Sequence, residues 1–146
     1  MPSSPPSSLP LKSVEDAQHM LEQLFAPWVQ ALGLQAWAVQ PPEIVLRLPV
    51  QADTVHGGGV VCGQTLMAAA DTAMVLAISA QLGQFQPMTT VQLNSSFLRP
   101  VPANTSHLDV TATVLRPGRQ IVFGRIDITL PDGKLAMQAT TTYAML

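Results

Sequence analysis

The sequence predicts an α+β protein in which one long antiparallel sheet carries helices to one side. Three observations lead there. Residues 63–82 are apolar almost all round and read as a buried helix. After them the hydrophobic period changes to two over four successive segments. Between those segments stand R-P-G-R at 116–119 and P-D-G-K at 131–134, turn sequences that join antiparallel neighbours.

Taken in order, residues 1–10 hold four prolines and four serines. That is too little apolar surface to offset chain entropy, so a disordered tail is expected ahead of one domain over 11–146. Ser13 with Asp16 three residues on is an N-cap signature. Met20, Leu21, Leu24 and Phe25 recur at helical spacing and Gly33 is a stop, which predicts one helix over 13–31. Short strands are expected at 34–39 and 43–50, on either side of Pro41-Pro42. A loop, D-T-V-H-G-G-G, then leads into the apolar helix. Its polar residues fall seven apart (Gln64 and Asp71; Thr65, Thr72 and Ser79), one narrow stripe on a helix expected to be wrapped by other structure. Strands are expected over 88–98, 104–116, 119–130 and 134–146, the last three as a meander. The cleanest alternation sets Leu108, Val110, Ala112 and Val114 against His107, Asp109, Thr111 and Thr113.

Composition narrows the function. Of 146 residues, 47% are hydrophobic and 11% charged, about half the usual share of charge. Part of so neutral a surface is expected to be hidden in an oligomer. A net charge of −2 argues against a nucleic-acid partner. Five of the seven basic residues (Arg99, Arg116, Arg119, Arg125 and Lys134) fall after residue 98, a weak hint of an anion site. The one cysteine, Cys62, excludes an intrachain disulfide and fits a reducing compartment. The N-terminus lacks a basic leader and an apolar segment. The apolar run 66–82 is about a turn short of a bilayer span and is broken by Asp71, Thr72 and Ser79. A cytoplasmic protein without a membrane partner is therefore expected. No Cys/His cluster has metal-ligand spacing, so no metal is expected.

Three stretches carry a resemblance to a known family: D-T-A-M (71–74), T-V-Q-L-N-S-S-F-L-R-P (90–100) and the closing R-P-G-R…D-G-K-L-A-M-Q-A-T hairpins. In this order and spacing, over about residues 43–146, the chain resembles the hot-dog-fold acyl-CoA thioesterases of the phenylacetate-degradation (PaaI-like) type. The resemblance implies a curved antiparallel sheet of five to six strands wrapped around one long central helix, here with an added N-terminal helix. It implies hydrolysis of an acyl-CoA thioester, with Asp71 as general base or nucleophile and the Gly63 N–H polarising the carbonyl. The two would come from opposite subunits of a homodimer, with a dimer of dimers as the larger alternative. Coenzyme A enters only as part of the substrate, and no cofactor is implied. Thr90 stands where the family often has a Ser or Thr that orients water.

The family's His-Gly-Gly opens the helix, its His nine residues before the Asp and an Asn six residues earlier. Counting back from Asp71 places Cys62 and His56 at those positions. A second register takes His56-Gly57-Gly58 as the motif itself, with six extra residues before Asp71.

The chemistry gives each residue two readings. Thioester hydrolysis needs an activated water or nucleophile and donors for the developing oxyanion. A helix N-terminus offers free N–H groups and a positive dipole end, and glycine lets substrate come close. Asp71 in an apolar run is costly unless compensated; it is either the reactive carboxylate or a hydrogen-bonded structural one. His56 is a substrate contact or acid, or a loop residue among glycines. Cys62 and Gln64 are substrate-binding candidates, Cys62 equally a small filler. Arg99, Arg116 and Arg119 are candidates for coenzyme A phosphates or ordinary solubilising charge. Met67, Met74, Met88 and Phe97 suggest an adaptable apolar pocket. The altered Cys62 and His56 positions also motivate a second function, a non-catalytic acyl-CoA-binding or sensing module.

Overall fold

The N-terminal helix forms where the sequence caps it and ends sooner than its periodicity predicts. The computed structural model describes residues 9–146. Helix α1 spans Val14–Gln23, with Ser13 extended and its Oγ accepting from the Asp16 N–H at 3.1 Å. The expected run to residue 31 is interrupted because proline disfavours helical geometry in the residue before it: Ala26 sits at ψ 151°. One separate turn, α2 (Pro27–Gln30), follows. Gly33, at φ 73°, then redirects the chain.

Residues 1–8 of the expected disordered tail lie outside the described residues. At Leu9 and Pro10 that expectation fails. Leu9 is buried in the core and its carbonyl accepts the Phe85 N–H at 2.8 Å, while Pro10 bridges Gln84. An apolar side chain with a core site to fill is worth ordering even in a proline-rich stretch.

Strands β1 (Gln35–Gln40), β2 (Glu43–Pro49), β3 (Met88–Phe97), β4 (His107–Pro117), β5 (Ile121–Thr129) and β6 (Leu135–Met145) form one six-stranded sheet. Its order is β1-β2-β4-β5-β6-β3, antiparallel throughout. The expected meander is β4-β5-β6, and β3 pairs with β6 to form an edge.

Helix α3 (Gly63–Leu82) begins at the expected glycine and stops at Gly83, whose φ of 83° suits only glycine. It packs on β2, β3, β4 and β5. Period-two alternation supplies the wall: Ile44 and Leu46, Val110 and Ala112, Ile126 and Ile128 are all fully buried. Ala69, Ala70, Ala73 and Ala77 are buried too, and such small residues let helix and sheet approach closely. By length and a mean hydropathy of 1.4, α3 matches a bilayer span, yet 67% of its most apolar 18-residue window is buried inside the protein. The sheet takes the place lipid would have; α3 is a core helix.

The sheet wraps α3 as expected and leaves one stripe of it uncovered. Thr65, Thr72 and Ser79 are buried, but Gln64 and Met67 are exposed and Ala68, Asp71 and Val75 only half-covered. The sheet ends at β3, which contacts α3 lightly and leaves this stripe open. Along β3 a bulge inserts Val91 between Thr90 and Gln92. Buried Thr141 of β6 donates to the Gln92 carbonyl at 2.8 Å, satisfying an acceptor at the bulge.

The β4–β5 turn sets a packing limit. A Cβ at Gly118 would collide with the Ile121 backbone carbonyl, which cannot swing aside as a side chain can. Gly118→Ala should destabilise the protein by about 1–3 kcal/mol, read by chemical denaturation. An unchanged unfolding midpoint would contradict the described turn.

Candidate active site

Asp71 lies two turns into α3, on the open stripe, and three elements converge on it. Thr90 of β3 donates its hydroxyl to Asp71 Oδ1 at 2.8 Å. Tyr143 of β6 donates to the same Oδ1 and also lies 2.9 Å from the Asp71 backbone carbonyl. Thr90 and Tyr143 are directly opposite each other in the β3–β6 register, beside the bulge. Two adjacent strands thus aim one hydroxyl each at a single carboxylate oxygen. The described residues place no cation within salt-bridge distance of Asp71. Hydroxyl donors therefore compensate the partly desolvated charge.

The other oxygen, Oδ2, receives no hydrogen bond from any described residue and is not sealed from solvent. Asp71 lines a groove of about 270 Å³ together with Trp28, Gln64, Met67, Ala68 and Leu93. Trp28 reaches that groove from α2, the turn that Pro27 separates from α1. Apart from Asp71 and Gln64 the lining is apolar. A carboxylate with one oxygen anchored and one free, beside an apolar groove, can accept a proton or attack an electrophile there.

Tyr143 is 1% exposed, and burial first, then the Asp71 charge and its hydrogen bond, push its hydroxyl far above the ordinary tyrosine range; the Thr90 hydrogen bond acts the other way. It is therefore a neutral donor at neutral pH. Sequence reasoning missed it. The available signals were that it is the one tyrosine in the chain and that it shares inward parity with Met137, Ala139 and Thr141 on β6. Parity marks a core position; only the fold shows what its hydroxyl meets.

The remaining candidates distribute over separate places. Gly63 opens α3, and the Gly63 and Gln64 N–H groups meet no acceptor among the described residues. Gly63 lies under the Phe97 ring, 3.3 Å from where a Cβ would stand, at a cavity of about 230 Å³ that Leu66, Leu98, Arg99 and Val101 also line. Arg99 is held there by its 2.8 Å bond to the Leu135 carbonyl. Gln64 faces the Asp71 groove instead. Cys62 is the residue before the helix; its N–H donates to the Thr54 carbonyl at 2.9 Å and its Sγ lies 3.0 Å from Thr65 Oγ1.

His56 sits in an exposed turn in which the Gly59 N–H bonds the His56 carbonyl and the Gly58 N–H donates to His56 Nδ1, both at 2.9 Å. His56-Gly57-Gly58 is thus a turn of its own, outside the helix. Arg119 lines a cavity with Ile78, Gln81 and Leu82 at the far end of α3, and Arg116 is exposed nearby on β4. Met74 is core, its sulfur against the site a Cβ on Gly124 would fill. The fold brings Asp71, Thr90 and Gln64 together, puts Arg99 with Gly63, and leaves Arg116, Arg119 and His56 elsewhere.

The model of the thioesterase superfamily matches residues 54–137, which includes α3, β3, β4 and β5. The chain is similar to a thioesterase of Haemophilus influenzae, at 26% identity and a TM-score of 0.82 over 94% of both chains. It is similar to a conserved protein of Pseudomonas aeruginosa at 28% identity and a TM-score of 0.77, over 86% of this chain and 98% of that one. A point variant of the phenylacetic acid degradation protein PaaI from Thermus thermophilus matches 83% of this chain with all of its own, at 27% identity and a TM-score of 0.74. The helix-in-sheet architecture is the hot-dog fold.

Tyr143 gives the site a measurable pH signature. Its native pKa is raised above the unfolded value of 10.0. Its contribution to stability is therefore complete below about pH 10 and is lost as pH rises through the native value. Denaturation of wild type and Tyr143→Phe across pH 8–12 should show the wild-type advantage shrinking above pH 10. A difference that stays constant over that window would contradict the buried, carboxylate-facing hydroxyl.

Proposed function

The chain belongs to the thioesterase superfamily, and on that footing we propose that it hydrolyses an acyl-CoA thioester to the free acid and coenzyme A at a site shared between two copies. The observation that carries this reading is the Asp71 carboxylate, held by two hydroxyls at Oδ1, with no hydrogen bond to Oδ2 from any described residue, on a residue that lines an apolar groove. A structural carboxylate needs its partners but has no use for a free oxygen facing such a groove.

In the proposed reaction Oδ2 takes a proton from water as its oxygen attacks the thioester carbonyl, or attacks that carbon itself and is released by water in a second step. Either way the C–S bond breaks, the acyl group gains a hydroxyl, and the thiolate leaves with a proton. Charge developing on the carbonyl oxygen needs donors, and the free Gly63 N–H at the positive end of α3 suits that role. Trp28, Met67, Ala68 and Leu93 offer apolar contact for the acyl portion. Arg99, beside the Gly63 cavity, is the arginine best suited to a coenzyme A phosphate.

One copy cannot assemble this site. Gly63 and Asp71 are eight residues apart on one helix, about 12 Å along its axis, so one carbonyl cannot touch both. The β3 edge supports a second copy as the missing half. Over ten residues, M-T-T-V-Q-L-N-S-S-F, it has no charge and no proline, the devices that normally protect an exposed edge. A copy added along β3 would cover the open stripe of α3 and set a second helix start near each Asp71.

Thiol release from aliphatic, phenylacetyl and benzoyl coenzyme A thioesters tests the chemistry. Asp71→Asn should lower kcat by about 100-fold or more. Light scattering should give at least twice the 15.6 kDa chain mass for both proteins. A purely monomeric active enzyme would overturn the shared site. Calorimetric binding without any thiol release would replace the enzyme by a binding module.

A further inference from the structure

We propose that Tyr143 is a positioning residue: with Thr90 it clamps Asp71 by Oδ1, so that Oδ2 alone is presented to the acyl group. The inference rests on the assignment of Asp71 as the reactive carboxylate and concerns how that carboxylate is aimed.

Geometry carries the argument. An aspartate on a helix can rotate about both side-chain bonds, and a single hydrogen bond from Thr90 would leave its carboxylate free to pivot on Oδ1. A second donor, from a different strand, removes that freedom. Tyr143 is well suited because its oxygen is also 2.9 Å from the Asp71 backbone carbonyl. Both acceptors within reach of its one proton, Oδ1 and the backbone carbonyl, belong to Asp71. The β3 bulge falls immediately after Thr90, where the strand is re-aimed opposite Tyr143.

Burial distinguishes this from a catalytic role. At 1% exposure Tyr143 does not line the groove and cannot touch an acyl group; it acts only through Asp71. Core filling does not account for it either. Phenylalanine would fill nearly the same volume without burying a hydroxyl, whose burial is costly unless it is hydrogen-bonded. Here that hydroxyl meets the one acidic side chain of α3. Its raised pKa keeps it a donor at neutral pH, where it adds no second anion beside Asp71.

The test is a set of single and double variants assayed on whichever acyl-CoA the wild type cleaves best. Tyr143→Phe should lower kcat by about 10- to 100-fold with KM changed less than about twofold, because misaiming a reactive group costs rate and not binding. Thr90→Val should act in the same direction. In an Asp71→Asn background Tyr143→Phe should cost nothing further, since its whole effect passes through that carboxylate. Near-wild-type kcat in Tyr143→Phe, or an equal loss in both backgrounds, overturns the proposal while the thioesterase reading stands. A wild type that cleaves no thioester overturns that reading, and the positioning role with it.

A spectroscopic readout guards against simple loss of folding. Tyr143 is the only tyrosine, so tyrosinate absorbance reports it alone. Because the Asp71 charge raises its pKa, folded Asp71→Asn should ionise Tyr143 at lower pH than folded wild type. Identical titrations would show that the two groups are not coupled and would refute the clamp.

Discussion

The structure depends on a charge held inside an apolar helix. Asp71 is the only acidic residue on α3, and the residues after it, Thr72, Ala73 and Met74, are all buried. Such a carboxylate is tolerated only if donors reach it. Those donors come from β3 and β6, strands far apart in sequence and adjacent in the sheet. The sheet must therefore curl far enough round α3 to bring its last two strands over the carboxylate. The bulge after Thr90 and the Thr141 bond to the Gln92 carbonyl hold the local geometry that this requires.

The same arrangement explains why the chain is unfinished on one side. Closing the sheet over α3 would bury Asp71 completely. Ending it at β3 leaves Asp71, Trp28 and Met67 lining a groove, together with a polar but uncharged strand edge. The open edge and the open helix stripe lie side by side, and Gly63 and Asp71 stand eight residues apart on α3.

Much of the fold was legible from local pattern. The limits of α3, the alternation of β2 and β4, the Ser13 cap and the meander turns all follow from period, caps and turn chemistry, which act over a few residues. Where local signals competed, the pattern misled. Helical spacing through Phe25 ran past Pro27, whose effect on Ala26 ended the regular helix. A proline-rich start hid the fact that Leu9 has a core site to occupy. Asp71 stood out in the sequence as a charge in an apolar run, and Thr90 through the resemblance. Tyr143 did not, because its partner is 72 residues away.

The sequence by itself determined the element types, the identity of the central helix and the carboxylate on it, since hydrophobic period and an isolated charge are properties of neighbouring residues. Tertiary structure decided which hydroxyls hold that carboxylate, which oxygen is left free, and that His56, Arg116 and Arg119 stand apart from it. Those outcomes depend on strand order, register and one bulge, and a one-residue slip in any of them turns a side chain to the opposite face.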